Sequence, residues 1–163
     1  MKHQDEDCPS CRTIKVDVDA DEGKRDGGHV LSQWPIQIKL VGSVAPFLND
    51  ADLLVAADCT AFATRGFHDE FLGDKKLVIG CPKLDNAMYY VEKFTGIFKN
   101  IPVKSLTCLR MEVPCCGGMT AILTEALKAA GKQLPFEEII IGVKGNVLGK
   151  RQIPARPSAD AVK

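Results

Sequence analysis

The sequence predicts an α/β protein, a doubly wound, mostly parallel sheet of four to six strands with helices on both faces. Three observations predict it. Leu53–Ala57, Lys76–Gly80 and Leu106–Val113 are short apolar runs of the length and composition of strands buried on both sides. Each is followed by a stretch whose apolar residues recur at helical spacing. Strands alternating with helices in this way build parallel sheets.

Taken in order, Ile36-Gln37-Ile38-Lys39-Leu40-Val41 alternates apolar and polar residues and predicts a strand with one half-exposed face. Pro46 to Ala51 reads as a short loop or helical turn. After the Leu53–Ala57 strand, Ala61 to Leu72 predicts a helix with Phe62, Phe67 and Phe71 available for packing. After Gly80, a second helix spans about Asp85 to Lys99, with Met88, Val91, Phe94, Ile97 and Phe98 on one stripe. Pro102 breaks it. The third helix, Thr120 to Ala130, presents Ile122, Leu123, Ala126, Leu127 and Ala130, with Gly131 as a C-terminal cap. Ile139–Val143 and Asn146–Leu148 flank Lys144-Gly145 and predict a hairpin or a bent last strand.

A chain of 163 residues is long enough for one domain with a substantial core. Residues 1–30 read as a flexible arm containing the C-x-x-C unit Cys8-Pro9-Ser10-Cys11. Residues 31–148 form the α/β domain, and residues 149–163 read as a disordered tail. With 21 basic and 21 acidic residues the net charge is zero, so nothing points to nucleic acid or an anionic membrane surface. No apolar run is long enough to span a bilayer and no leader-like segment is present, which predicts a cytoplasmic protein. Seven cysteines are an odd number and too many for an incidental set in a reducing compartment. They predict metal, cluster or thiol chemistry rather than disulfides, with small core hydrophobes as the competing reading.

The cysteines fall in a pattern. Three successive parallel strands end in thiols: Cys59, Cys81, and the adjacent pair Cys115 and Cys116. In a parallel sheet the carboxyl ends share one edge, where ligands bind. Four thiolates suit a [4Fe–4S] cluster or zinc and suit calcium or magnesium badly. Gly117 and Gly118 let the backbone approach a bound group, and a helix N-terminus favours thiolate. Cys8 and Cys11 are secondary candidates. Cys108 lies inside a strand, roughly 20 Å before Cys115, and reads as a core residue. His68, about 13 Å along a continuous helix from Cys59, reads as a surface histidine. Cys59 to Arg65 also fits the C-x5-R spacing of cysteine-dependent phosphatases, but it has no glycine and places bulky Phe62 in the loop. Neither the dinucleotide-binding G-x-G-x-x-G nor a P-loop is present.

Four blocks carry a family resemblance: Leu31-Ser32-Gln33-Trp34-Pro35-Ile36-Gln37, Ala51 to Ala63 around Asp58-Cys59-Thr60, Gly80-Cys81-Pro82-Lys83-Leu84-Asp85, and Met111 to Gly118. Over roughly residues 31 to 148 they resemble an iron–sulfur-binding family of anaerobic prokaryotes with a ferredoxin-like label, here without its two-cluster ferredoxin domain. Cys8-Pro9-Ser10-Cys11 is similar to a short Cys-Pro segment preceding that family's module, with a second cysteine where the family has a small residue. Cys-Cys-Gly also resembles the cysteine-rich motif of heterodisulfide-reductase-type subunits, although the surrounding spacing differs. The resemblance implies an α/β fold and cluster association. The expected function is therefore cluster binding in electron transfer or redox sensing with a redox partner protein. A zinc-binding interaction module, a dithiol oxidoreductase using Cys115 and Cys116, and the C-x5-R phosphatase are the alternatives.

Overall fold

The computed structural model describes residues 12–15 and 31–154. Its centre is a five-stranded sheet of order β4-β3-β5-β6-β7. The strands are β3 (Asp52–Ala57), β4 (Lys76–Gly80), β5 (Ser105–Met111), β6 (Phe136–Ile141) and β7 (Val147–Gln152). The first four run parallel and β7 returns antiparallel to β6. A separate ribbon pairs β1 (Ile14–Lys15) with β2 (Gln33–Trp34).

The apolar runs are strands because both of their faces are covered. In β3, Leu53 and Val55 face a core shared with helices α2 (Ala87–Asn100) and α3 (Gly117–Ala130). Leu54 and Ala56 face a second core with Phe67, Phe71 and Leu72. Tyr90, Phe94, Ile97 and Phe98 of α2 and Met119, Leu123 and Ala126 of α3 are fully buried. Each large side chain among them contributes roughly 1.5–3 kcal/mol by leaving water. Asn86 caps α2, its side chain accepting the Tyr89 N–H at 3.1 Å. Gly131 ends α3 in the left-handed conformation at φ 64°.

Several expectations need correction. Ile36–Val41 is not a strand: Gln37 makes one isolated parallel bridge to Ile79, then the chain turns. Leu40 N–H donates to the Gln37 carbonyl at 2.9 Å, so Ile38 and Val41 reach the core at turn spacing, not strand spacing. The expected helix Ala61–Leu72 is two pieces, α1 (Thr60–Ala63) and a π-helical turn, Phe67–Leu72. The break follows from Thr64, which is extended and bonds its hydroxyl back to the Thr60 carbonyl at 2.8 Å. Met88 faces solvent, and Tyr90 takes the buried place on α2. The last helix starts at Gly117, three residues earlier than expected, so both glycines lie in its first turn. The hairpin is present, and β7 carries it through Gly149–Gln152, residues expected in the tail.

Buried among the strands is one carboxylate. Glu138 of β6 is 0% exposed and accepts from Arg110 Nε at 2.8 Å, from Thr120 of α3, and from Arg151. Arg151 thereby ties the edge strand β7 to the sheet interior.

Candidate thiol site at the switch point of the sheet

Strand order brings the expected thiols to one edge. β3 lies between β4 and β5, so the three cysteine-ended strands are immediate neighbours. The connection leaving β3 runs over one face, through Phe67–Leu72, to β4. The connection leaving β5 runs over the other face, through α3, to β6. The crevice between the carboxyl ends of β3 and β5 is therefore the topological switch point, where open α/β sheets bind ligands. Cys59 follows β3 and Cys115-Cys116 follow β5 at that crevice.

Cys59 precedes α1 and is exposed; Cys115 is exposed and Cys116 buried. Both members of the pair lie in the 3-10 turn Pro114–Cys116, which Pro114 initiates and which feeds straight into α3. Burial pushes the Cys116 thiol up. A hydrogen bond with the Met111 backbone works the other way, and the neighbouring thiols of Cys115 and Cys59 raise it further. Cys116 is therefore within electrostatic reach of both Cys115 and Cys59. Cys81 is half-buried at the end of β4. Pro82 is packed against the start of α3, 3.5 Å from where a Gly118 side chain would begin. A Cβ at Gly118 would make only an ordinary van der Waals contact with Pro82, so this approach of the β4 loop does not require glycine.

Two residues at this edge were not among the expected site residues. Asp58, directly before Cys59, has its Oδ1 buried without a hydrogen-bond partner among the described residues. Burial, helped by the charge of Asp85, pushes its carboxyl above the usual range. Tyr90 reaches from α2 to the Cys81 backbone and donates its hydroxyl to Asp85, which Lys39 also binds. Gly80 makes room for that hydroxyl: a Cβ there would lie 2.4 Å from it. Asp58 stands beside Cys59 and Asp85 lies four residues beyond Cys81, which is the signal the sequence offered.

Other expected residues fall elsewhere. Cys108 is fully buried beside Thr120, its sulfur 3.6 Å from the hydroxyl, and burial lifts its thiol to about 12. It is a core residue, as its strand position implied. His68 is exposed and packs edge-on against Phe67. In the C-x5-R segment the Ala63 and Thr64 N–H groups donate to the Cys59 and Thr60 carbonyls, so neither is aimed at an anion. Cys8 and Cys11 lie outside the described residues. Among the described residues, no three His, Cys, Asp or Glu side chains gather closely enough to hold a single metal ion. No helix among them is long and apolar enough to cross a membrane.

A mostly parallel, doubly wound sheet with a switch-point crevice defines a class, the open doubly wound α/β folds. The chain belongs to the Rossmann-like domain family, whose profile matches residues 45–161. An uncharacterized protein of Archaeoglobus fulgidus is 36% identical over 117 residues, 72% of this chain and 82% of the relative. No solved structure matches. These findings correct the resemblance drawn from the four sequence blocks. The matching family is Rossmann-like, and neither it nor the relative carries an iron–sulfur or ferredoxin name. Three of the blocks span the junctions where strands of this sheet end. The fold's dinucleotide fingerprint is missing, and thiols occupy the crevice instead.

Proposed function

We propose that this protein binds an iron–sulfur cluster at the switch-point crevice and serves in electron transfer or redox sensing with a partner protein, in a reducing compartment. One observation carries the reading: three adjacent parallel strands deliver Cys59, Cys81, Cys115 and Cys116 to one edge, with Cys116 in reach of two other thiols. The reading rests on these thiols and not on a family name. The donor set is soft and sulfur-only, as clusters require. A tetrahedral zinc site would hold its sulfurs about 3.8 Å apart, given a Zn–S distance of about 2.3 Å. The described side chains are not gathered for a single ion, whereas a cubane places each thiolate on a different iron and spreads them more widely.

Cys59, Cys81, Cys115 and Cys116 would hold the cluster. Bound there, it supplies a one-electron couple. The N-terminus of α3 adds a partial positive charge at this edge, while the Gly117 N–H already donates to the Pro114 carbonyl. Tyr90 and Asp85 hold the Cys81 loop in place. Purification without oxygen followed by iron, zinc and acid-labile sulfide analysis tests the reading. Brown protein with iron and sulfide in near-equal amounts is expected. Colourless protein that takes up neither after reconstitution overturns it.

A second reading, metal-free dithiol exchange, is favoured by the adjacency of exposed Cys115 and buried Cys116, an accessible attacking thiol beside a resolving one. Iron-free protein that reduces a small disulfide, with loss of two protein thiols, would support it.

A further inference from the structure

The carboxyl edge of the sheet carries a rim that thiol chemistry does not use. Phe62 on α1, three positions after Cys59, is 94% exposed. Leu84, three positions after Cys81, is 84% exposed, and Val143 at the hairpin tip is 65% exposed. Scattered exposed apolar residues are ordinary; these surround one site.

Strand order lays them out. Lys83 and Leu84 leave β4 at one end of the edge, the thiols of β3 and β5 lie in the middle, and Val143 and Lys144 form the tip beyond β6. The tip rests on α1, because a Gly145 Cβ would lie 2.2 Å from the Ala63 carbonyl oxygen. Phe62 and Arg65 therefore stand alongside it. Arg65, Lys83 and Lys144 are exposed, and none is ion-paired with another described residue. Two acids of this edge are engaged. Asp85 is bound by Lys39 and Tyr90, Glu112 accepts the Val143 N–H at 2.8 Å, and Asp58 has one oxygen buried. Among the described residues the rim is thus apolar, with positive charge that no ion pair takes up.

Resting on the redox reading above, we propose that this rim docks an acidic electron-carrier protein, its apolar centre on Phe62, Leu84 and Val143 and its carboxylates on Arg65, Lys83 and Lys144. Redox encounters use small interfaces, below roughly 1,200 Å². Opposite charge speeds encounter and fixes orientation. Docking here would bring the carrier directly over exposed Cys59 and Cys115. A second copy fits worse, since a two-fold contact would set this cationic rim against itself.

The test is an amide chemical-shift titration of the full-length, iron-free chain with an acidic flavodoxin at low ionic strength. Shifts confined to residues 60–66, 82–88 and 142–146 are expected. Binding should weaken by about tenfold in a Lys83→Glu/Lys144→Glu variant and in Phe62→Ser, and weaken with salt. All three positions are exposed, and the variants' own amide spectra report whether the fold is kept. Absence of binding, shifts centred elsewhere, equal binding of a basic cytochrome, or shifts that track the chain's own concentration would overturn the proposal. Because the titration needs no iron, failure to assemble a cluster and failure to dock are separate results.

Discussion

Replacing Glu138 by glutamine should be among the most destabilising single changes in the domain. Its carboxylate is 0% exposed and faces Arg110, whose side chain is only 14% exposed, while Arg151 on its other oxygen is 61% exposed. Neutralising Glu138 leaves Arg110 buried with no counter-charge, which costs about 3–5 kcal/mol. Arg151 stays hydrated, so Arg151→Met should cost no more than about 1 kcal/mol. For a domain of this size about 1 kcal/mol moves Tm by about 4 °C, so Glu138→Gln should lower it by roughly 12–20 °C. The double variant Arg110→Met/Glu138→Leu buries no charge and should recover most of that loss. Thermal and urea unfolding followed by circular dichroism at neutral pH reads all three. A Glu138→Gln protein within about 1 kcal/mol of wild type, or a double variant weaker than the single one, refutes the argument. The pH dependence follows. Burial alone would raise the Glu138 carboxyl, but hydrogen bonds from Arg110, Thr120 and Arg151 outweigh it and leave it below its ordinary value. Its stabilisation is therefore full above the ordinary carboxylate range and fades as pH falls through the lowered value. Wild type should lose stability in acid more steeply than the double variant.

Other expected outcomes are more local. Serine at Cys59, Cys81, Cys115 or Cys116 should each sharply reduce iron retained by anaerobically purified protein, whereas Cys108→Ser should keep it; iron and sulfide analysis decides. Gly80→Ala sets a Cβ 2.4 Å from the buried Tyr90 hydroxyl and 2.7 Å from Ile38. It should cost about 1–3 kcal/mol in urea unfolding and disturb the Cys81 loop. Gly145→Val places a branched residue at φ +85° and against the Ala63 carbonyl. It should destabilise by about 2 kcal/mol or more and broaden amide signals in both α1 and the hairpin tip.

The sheet was legible because β3 and β5 are buried on both faces and therefore read as unbroken apolar runs. The edge positions of the cysteines followed from strand polarity alone, and Cys108 was placed in the core by the same logic. Segments decided by tertiary contact were not legible. Ile36–Val41 alternates like a strand, yet its neighbour β4 offers Gln37 a single bridge and the core takes Ile38 and Val41 from a turn. Nothing local shows that Thr64 will spend its hydroxyl on the Thr60 carbonyl and end a helix. Tyr90 and Asp58 were missed because their significance depends on a glycine and a carboxylate from other elements. The family likeness, drawn from four short blocks, gave way to a Rossmann-like match over residues 45–161.

The central position of β3 also sets an order of assembly. Leu53 pairs with Lys76 of β4 and with Leu106 of β5, partners 23 and 53 positions away. The shorter loop closes with less entropy lost, so the β3–β4 pair can form while the chain beyond it is still being made. Cys59 and Cys81 then become neighbours first, and β5 brings Cys115 and Cys116 only when it docks on the free side of β3. A half-built edge holding two thiols precedes the complete one, and its exposed β3 flank is the surface that a nascent chain must protect until β5 arrives.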